Sequence, residues 1–463
     1  MKPRAPAHMT RAPSLPPPPH HPFSLPVPRR LRLDNALQVS LLERCELPLV
    51  HVSLVLRSGH ALDPLGEAGV AFTTAALVDE GAGERSALQI AADLQELGTA
   101  LQISVDVEST TIAMDLLREH LDPALAILAD VLLRPHLDRR ELERVRAEIV
   151  SRGEHRRSDP SQAASLALAG AVFGAHPYGR PALPRPPAAA ALGRRQVVSF
   201  HREHYRPHNA MLLVAGDVGP ESLTRMLSRH LRGWRPGRRC RRRFAPAPRR
   251  GPHLVLVSRP GAAENVLRVG HRLPPRRQLD VAMVQLLNTI LGGSFTSRLN
   301  ANLRERHGYT YGASSSFSLM RQHGLLTAAA QVDRDATVPA LHEMLHEMRR
   351  LTRRAVSRRE LDKARALLVE ELPASAESLG GLAESYLELG LHREPWNSLN
   401  CLPTKLAGAS PDQLLGLARR LLLPEQATVV VVGDVARVGP ELARIYGPAE
   451  HRDLDGLSTD DPP

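Results

Sequence analysis

The residues His342, Glu343 and His346 have a spacing that could support hydrolytic chemistry, because they form the pattern HExxH. On a helix this pattern places both imidazoles on one face, where they can bind zinc while the glutamate acts as a base. Two features argue against such a site. Glu347 follows directly, and no segment downstream has the pattern that supplies a third ligand. The helix also has an ordinary apolar stripe, formed by Leu341, Leu345 and Met348. We therefore interpret His342 and His346 as decoys for metal ligands.

A second constellation is the pair Arg304 and Tyr311, in the segment GGSFTSRLNANLRERHGYTY at 292–311. A guanidinium fork and a phenol OH are suitable donors for a carbonyl oxygen that gains negative charge. The segment begins with a Gly-Gly turn and a helix start, and YGASSSF at its end is typical of a strand. Tyr309, two residues before Tyr311 on the same predicted strand face, is an alternative for the tyrosine role.

The elements that must position these residues occur twice along the chain. Segments 37–59 and 253–273 each read as two strands with a turn, and HNAMLLVAGDV at 208–218 matches EQATVVVVGDV at 425–435. The offset between the halves is about 210–217 residues in both comparisons. A repeat at a fixed offset predicts two duplicated α/β domains.

Helices with apolar residues at i, i+3 and i+4 follow the strands in each half, for example at 86–98 and 338–351. Strand pairs with short turns indicate antiparallel or mixed sheets with helices packed on one face, so the predicted class is α+β, twice over. The predicted organisation is a disordered Pro-rich leader (1–28), an N-terminal domain (29–231), a basic Pro-containing linker (232–251), a C-terminal domain (252–447) and a disordered tail (448–463).

Composition limits the possible partners and compartments. The net charge is +11, which alone would suggest nucleic acid. The densest basic run lies in the linker at 232–251, and aromatic residues at 3% leave little for base stacking. We therefore expect no nucleic acid partner and interpret the run as a solvated linker, with a nucleic-acid-binding arm as the alternative. Three isolated cysteines, no signal peptide and no spanning segment predict a cytoplasmic protein without membrane contact.

The segment 292–311 resembles the second-half signature of the pitrilysin/insulinase metallopeptidases. FGAHPYGRP at 173–181 and the strand ending in Gly-Asp-Val at 216–218 extend the similarity over about residues 30–447. The resemblance implies two insulinase-type (LuxS/metallohydrolase-like) domains. It also implies a zinc motif, HxxEH, on a helix of the first half.

The corresponding segment is GEAGVAFTTAALVDEGAGER at 66–85, where Phe72, Ala75 and Ala76 stand in the ligand positions. Glu148 matches the family's third ligand, with Glu141 two helical turns earlier. Glu148 alone cannot hold zinc, and ordinary solvated helix carboxylates are the competing interpretation of both glutamates. The resemblance therefore predicts a degenerate zinc motif and no cofactor bound by this chain.

In the family, an Arg and a Tyr from the half without zinc hold the substrate backbone and its developing oxyanion, and Arg304 and Tyr311 match them. The resemblance implies a non-catalytic subunit that lines a degradation chamber for peptides or unfolded polypeptides. Its expected partner is a subunit that bears HxxEH and the zinc. Two alternatives remain: a structural or assembly protein with an inactive peptidase fold, and an independent zinc peptidase that uses the HEMLH helix.

Overall fold

Two six-stranded mixed sheets form the framework of the protein. The structure, a computed structural model, describes residues 24–237, 244, 245, 247 and 253–456. The strands are β1 (Arg29–Arg32), β2 (Gln38–Glu43), β3 (Leu49–Leu56), β4 (Gln102–Val105), β5 (Thr110–Leu117), β6 (Ala210–Gly216), β7 (His253–Ser258), β8 (Glu264–Leu273), β9 (Thr310–Leu319), β10 (Gly324–Asp333), β11 (Thr428–Gly433) and β12 (Ala449–Arg452).

The two sheets repeat one topology, as the sequence predicts. The first has the order β1-β2-β6-β3-β5-β4 and the second β12-β7-β11-β8-β10-β9, so five neighbouring strands correspond in order. The pairs β2/β6 and β7/β11 are parallel, while β3/β6 and β8/β11 are antiparallel. The predicted α+β class with mixed sheets is confirmed.

The helices are α1 (Val70–Ala75), α2 (Ala87–Glu96), α3 (Leu121–Leu133), α4 (Arg139–Ser158), α5 (Pro160–Phe173), α6 (Pro186–Ala191), α7 (Arg194–His204), α8 (Pro220–His230), α9 (Val281–Leu291), α10 (Thr337–Arg353), α11 (Arg358–Ser375), α12 (Leu379–His392), α13 (Ser398–Ala407), α14 (Pro411–Leu421) and α15 (Val435–Tyr446). Several begin at a side-chain cap; Ser86, for example, forms a capping box with Gln89 before α2. No helix of the described residues has the length and apolarity that a membrane span requires.

Each half also covers the outer face of the other half's sheet with one helix. Helix α5 of the first half packs on the second sheet, against valines of β7 and β11, and α12 of the second half packs on the first sheet, around Met211 and Leu213 of β6. Both central strands, β6 and β11, are consequently buried along their whole length. This explains their unbroken apolar sequences, since a strand covered on both faces needs no polar alternation. The predicted helix cover on one face is thus completed by an exchanged helix on the other.

The described ends of the chain are more ordered than the sequence predicts. In the predicted leader, Leu25 is buried beside Tyr386, and its N–H donates to the Asn400 side chain at 2.7 Å. In the predicted tail, residues 449–456, here called the C-terminal strap, begin with β12, which pairs parallel with β7. The prediction of a disordered leader and tail is therefore wrong for these residues, because both segments bury side chains. Residues 1–23, 252, 457–463 and most of the predicted linker (238–243, 246 and 248–251) lie outside the described residues.

Candidate functional site

Helix α1 carries the degenerate zinc motif. Its start is tightly built: the buried carboxylate of Asp63 accepts the backbone N–H groups of Gly69 and Ala71 at 2.6 and 3.0 Å. Gly69 has a φ of +87°, which favours glycine. At the three ligand positions, Phe72 is half-buried, Ala75 is buried and Ala76 is half-buried. None of these side chains has a nitrogen or oxygen that could bind a metal.

The remaining carboxylates near this helix are bound to an arginine. Arg144 of α4 contacts Glu148 at 2.5 Å and Glu141 at 2.8 Å, and it also pairs with Glu80, which follows α1. These three acceptors raise the pKa of the Arg144 guanidinium. Close by, burial raises the pKa of Asp79 to about 6. A guanidinium therefore occupies the place where a cation would meet Glu148.

Residues of this region do not fit a zinc ion. The described part of the chain contains no group of three or more His, Cys, Asp or Glu side chains arranged to hold a metal. Glu148 is the one predicted ligand position that keeps a donor, and its carboxylate is half-exposed and paired with Arg144.

The HEMLH helix, α10, places its histidines in solvent. His342 and His346 are exposed, one turn apart, with ring centroids separated by 6.3 Å. The base position is engaged, because Glu343 accepts a hydrogen bond from the Asn302 amide at 2.8 Å. Burial alone would raise the pKa of Glu343, but this amide and the nearby imidazoles lower it overall. Glu347 is buried and accepts from the same amide, so this helix face packs against the segment that carries Arg304.

The segment 292–311 is held by a dense set of contacts. A Cβ on Gly292 would lie 2.4 Å from the Ser315 backbone nitrogen, so glycine permits the turn to approach β9. The Asn300 side chain accepts from the N–H of Ala313 at 2.9 Å. Arg298 forms a two-point ion pair with Glu360 at 2.7 and 2.9 Å. These contacts fix the helical turn and the strand relative to each other.

Arg304 and Tyr311 lie at the exposed end of this framework. Arg304 belongs to a π-helical turn, Asn300–Arg306, and its guanidinium lies 4.4 Å from the ring centroid of Phe295. Its ion pair with the exposed Glu305 is long, at 3.5 Å. Tyr311 is the second residue of the edge strand β9 and is 93% exposed. Both donors are therefore accessible, and a cation–π contact orients the arginine.

Two features of this site were not predicted from the sequence. Tyr309 precedes β9, packs against the second core and stacks on His307, which distinguishes it from the exposed Tyr311. Phe295 is 68% exposed and lies next to the Arg304 guanidinium. It has no part in the site predicted from the sequence, although an aromatic residue close to two glycines could have indicated one.

The His-Pro-Tyr-Gly segment joins the two halves. The Tyr178 hydroxyl donates to Glu108 at 2.5 Å, and the same carboxylate accepts from Arg321 in the β9–β10 turn at 3.0 and 3.1 Å. The buried His176 lies 5.3 Å from His323 between ring centroids. Burial lowers the pKa of both imidazoles, that of His323 to about 4.

Two family models match the chain over most of its described length. The model of the insulinase family, peptidase family M16, matches residues 41–184, and the model of the peptidase M16 inactive domain matches residues 191–368. The chain belongs to peptidase family M16. The inactive-domain match begins within the first half, before α7, and it includes residues 292–311.

The names of relatives of this M16 protein describe different activities. An "uncharacterized zinc protease" of Mycobacterium tuberculosis is 28% identical over 418 residues, covering 87% of this chain and 93% of the relative. The "non-peptidase homolog YmxG" of Helicobacter pylori is 21% identical, covering 74% of this chain and 80% of the relative.

The crystal structure of a peptidase M16 inactive domain from Pseudomonas fluorescens has a TM-score of 0.82 at 21% identity, covering 88% and 98% of the two chains. A protease from Helicobacter pylori has a TM-score of 0.83 at 17% identity, covering 88% and 100%. The structures show the shared fold. The match to the M16 inactive-domain model supports an inactive member of the M16 family.

Proposed function

We propose that this M16 protein is the non-catalytic subunit of a heteromeric metallopeptidase. Its partner would be a chain that bears HxxEH and the metal. The observation that carries the proposal is the contrast between two sites in one chain. Phe72, Ala75 and Ala76 offer no metal ligands, whereas the half-buried Arg304 and the exposed Tyr311 are polar donors on a closely packed framework.

The two donors suit the binding of an extended peptide. Arg304 can present two N–H groups to a carbonyl oxygen, and the Tyr311 hydroxyl can donate a third hydrogen bond. Because Phe295 contacts the guanidinium and Asn300 links the helical turn to β9, the Arg304 side chain has less freedom to lose on binding. Donors positioned in advance stabilise a developing oxyanion more strongly than mobile ones. In this proposal the chain orients the peptide and performs no bond-breaking step itself.

The HEMLH helix gives no comparable support for an independent peptidase. A zincin site needs two imidazoles, a third ligand and a free base. Here Glu343 is hydrogen-bonded to Asn302, and the described residues provide no third ligand. His342 and His346 fit a solvated helix face.

The test is reconstitution with an HxxEH-bearing M16 chain from the same organism. Cleavage of a quenched fluorescent peptide is measured for each chain alone and for the mixture, and complex formation is followed by light scattering. We expect a stable complex, no cleavage by this chain alone and cleavage by the mixture. Arg304→Ala or Tyr311→Phe should lower turnover by about 10²–10³-fold without preventing assembly, as expected when one oxyanion donor is lost.

Matched controls come from the same segment. Arg306→Ala removes an exposed arginine two residues after Arg304, and Tyr309→Phe removes a hydroxyl two residues before Tyr311. Both controls should keep turnover within about twofold of the wild-type complex. Equal turnover in the Arg304 and Tyr311 variants would leave an assembly role as the better account. Zinc-dependent cleavage by this chain alone, lost in His342→Ala, would refute the proposal.

A further inference from the structure

A large cleft lies on the outer face of the first sheet. It has a volume of about 1120 Å³ and is bordered by β1, the end of β3, the end of α12 and the β9–β10 turn. It forms because α12 ends at His392 and leaves the β1–β2 side of this face uncovered. Five arginines line it, namely Arg30, Arg32, Arg57, Arg321 and Arg393.

Strand geometry brings three of these arginines to one face. In the β1–β2 pairing, Arg30 is opposite Ser40 and Arg32 is opposite Gln38, so residues 30 and 32 share the face of Gln38 and Ser40. Gln38 in turn pairs with Met211, which α12 contacts. Arg57 directly follows β3, two residues after Val55, another residue of the α12-covered face.

Arg57 is the least compensated of these groups. It is half-buried, and its recorded side-chain hydrogen bond is a long one to the Gly390 carbonyl at 3.4 Å. Its Nε is buried and has no hydrogen-bond partner among the described residues. Burial and the charges of Arg393 and Arg321 lower the pKa of Arg57 to about 10. A half-buried guanidinium among like charges is unfavourable unless an anion offsets it.

The acidic residue of the cleft does not offset the charge of Arg57. Among its described lining residues Glu394 is the acidic one, and its carboxylate accepts from the Arg276 guanidinium at 2.6 Å. Arg321 shares Glu108 with Tyr178. Arg30 lies 6.0 Å from the ring centroid of Trp396, a contact that leaves its charge in place. The cleft therefore keeps a net positive charge.

We infer that this cleft binds a small ligand with two or more phosphate groups. Guanidinium groups match phosphate oxygens in two-point hydrogen bonds, and several arginines around one space favour several phosphates. Ligand pockets commonly measure about 300–1,000 Å³, so the cleft holds more than a single phosphate ion. The arginines come from both halves of the chain, and the bound ligand would link β1, β3 and the end of α12.

Isothermal titration calorimetry of the full chain with tripolyphosphate tests this inference. Inorganic phosphate and citrate are titrated as comparison anions. We expect saturable binding of tripolyphosphate with a Kd at least tenfold below those of both comparison anions. The variant Arg32→Gln/Arg393→Gln changes two exposed arginines of the cleft and should raise this Kd by about tenfold or more. Arg57→Gln should have a similar effect.

The matched control is Arg358→Gln/Arg359→Gln, which removes the same charge from exposed positions at the start of α11. Its Kd should stay within about twofold of wild type. Absence of saturable binding, an equal loss of affinity in the control, or citrate binding as tightly as tripolyphosphate would each overturn the inference. If Arg57→Gln does not fold, the exposed double variant decides alone.

Discussion

Replacing Asp455 with asparagine tests whether the C-terminal strap holds the two halves together. Asp455 is buried, with 4% of the residue exposed. Its carboxylate accepts hydrogen bonds from the guanidinium groups of Arg156 at 3.3 Å and Arg157 at 3.0 Å. Both arginines belong to α4 of the first half, whereas the strap extends the second sheet. The variant keeps the side-chain volume and removes the charge.

The expected loss follows from the burial of each partner. Removing one member of a buried ion pair costs about 3–5 kcal/mol, because the other charge stays buried. Arg156 fits this case, since its side chain is 9% exposed. Arg157 is 45% exposed, and Arg185, whose Nε lies 3.8 Å from the same carboxylate, is 26% exposed, so solvent partly replaces the lost carboxylate for both. We therefore expect a loss of about 2–4 kcal/mol in the free energy of unfolding. With an unfolding entropy of about 2.1 cal/mol/K per residue, this corresponds to a Tm lower by roughly 2–4 °C.

Differential scanning calorimetry at pH 7 measures this difference, with Asp453→Asn as the matched control. The Asp453 side chain is 44% exposed, so its loss should cost under about 1 kcal/mol. Burial opposes ionisation of Asp455, but hydrogen bonds and charges from the arginines outweigh it and lower its pKa in the folded protein. A lowered pKa stabilises the fold above the unfolded-state value near 4, and this stabilisation disappears as the pH falls through the folded value. A Tm of Asp455→Asn within 1 °C of wild type at pH 7, or a difference that persists far below pH 4, would refute this reasoning.

Three further changes test other parts of the structure. Arg144→Met should cost about 1–2 kcal/mol at low ionic strength and less in high salt, because its ion pairs are partly exposed; thermal unfolding at two salt concentrations measures this loss. Gly292→Ala should destabilise the protein by about 1–3 kcal/mol, since the added Cβ would lie 2.4 Å from a backbone nitrogen of β9. Gly312→Ala, where the nearest atom is 3.9 Å away, should be tolerated in the same assay. Tyr178→Phe removes the hydrogen bond to Glu108 and should cost about 1–2 kcal/mol, measured by chemical denaturation.

The sequence predicts the sheets well because their evidence is local and repeated. The strand ends at Gly216 and Gly433, each followed by Asp-Val, locate the central strands without any knowledge of their neighbours. The exchanged helices were not predictable in this way. Helix α5 is rich in alanine and buried at many positions, a pattern that indicates burial but does not name the sheet that covers it. The C-terminal strap was not predictable for a related reason. Its strand, AEHR at 449–452, has no apolar–polar alternation, and it forms by pairing with the edge of β7.

In the candidate site, too, local features are predictable from the sequence and contacts between distant elements are not. The spacing of Glu141, Arg144 and Glu148 on one helix face is visible in the sequence, because residues three and four apart are neighbours on a helix. Their contact with Glu80 depends on how α4 packs near α1, which spacing does not give. Similarly, the sequence places Tyr309 and Tyr311 on one strand face. Only the start of β9 at Thr310 separates a packed ring from an exposed one.

The two halves differ in how their polar groups are satisfied, and this difference bears on function. Around α1, the three carboxylates of Glu80, Glu141 and Glu148 are ion-paired within the chain with Arg144. Around β9, the framework is equally well bonded, and Arg304 has a cation–π contact with Phe295 and a long ion pair with its exposed neighbour, while Tyr311 points its ring into solvent. The proposed peptide-binding role depends on these two residues of the second half, and the Arg304 and Tyr311 variants of the reconstituted complex test that proposal directly.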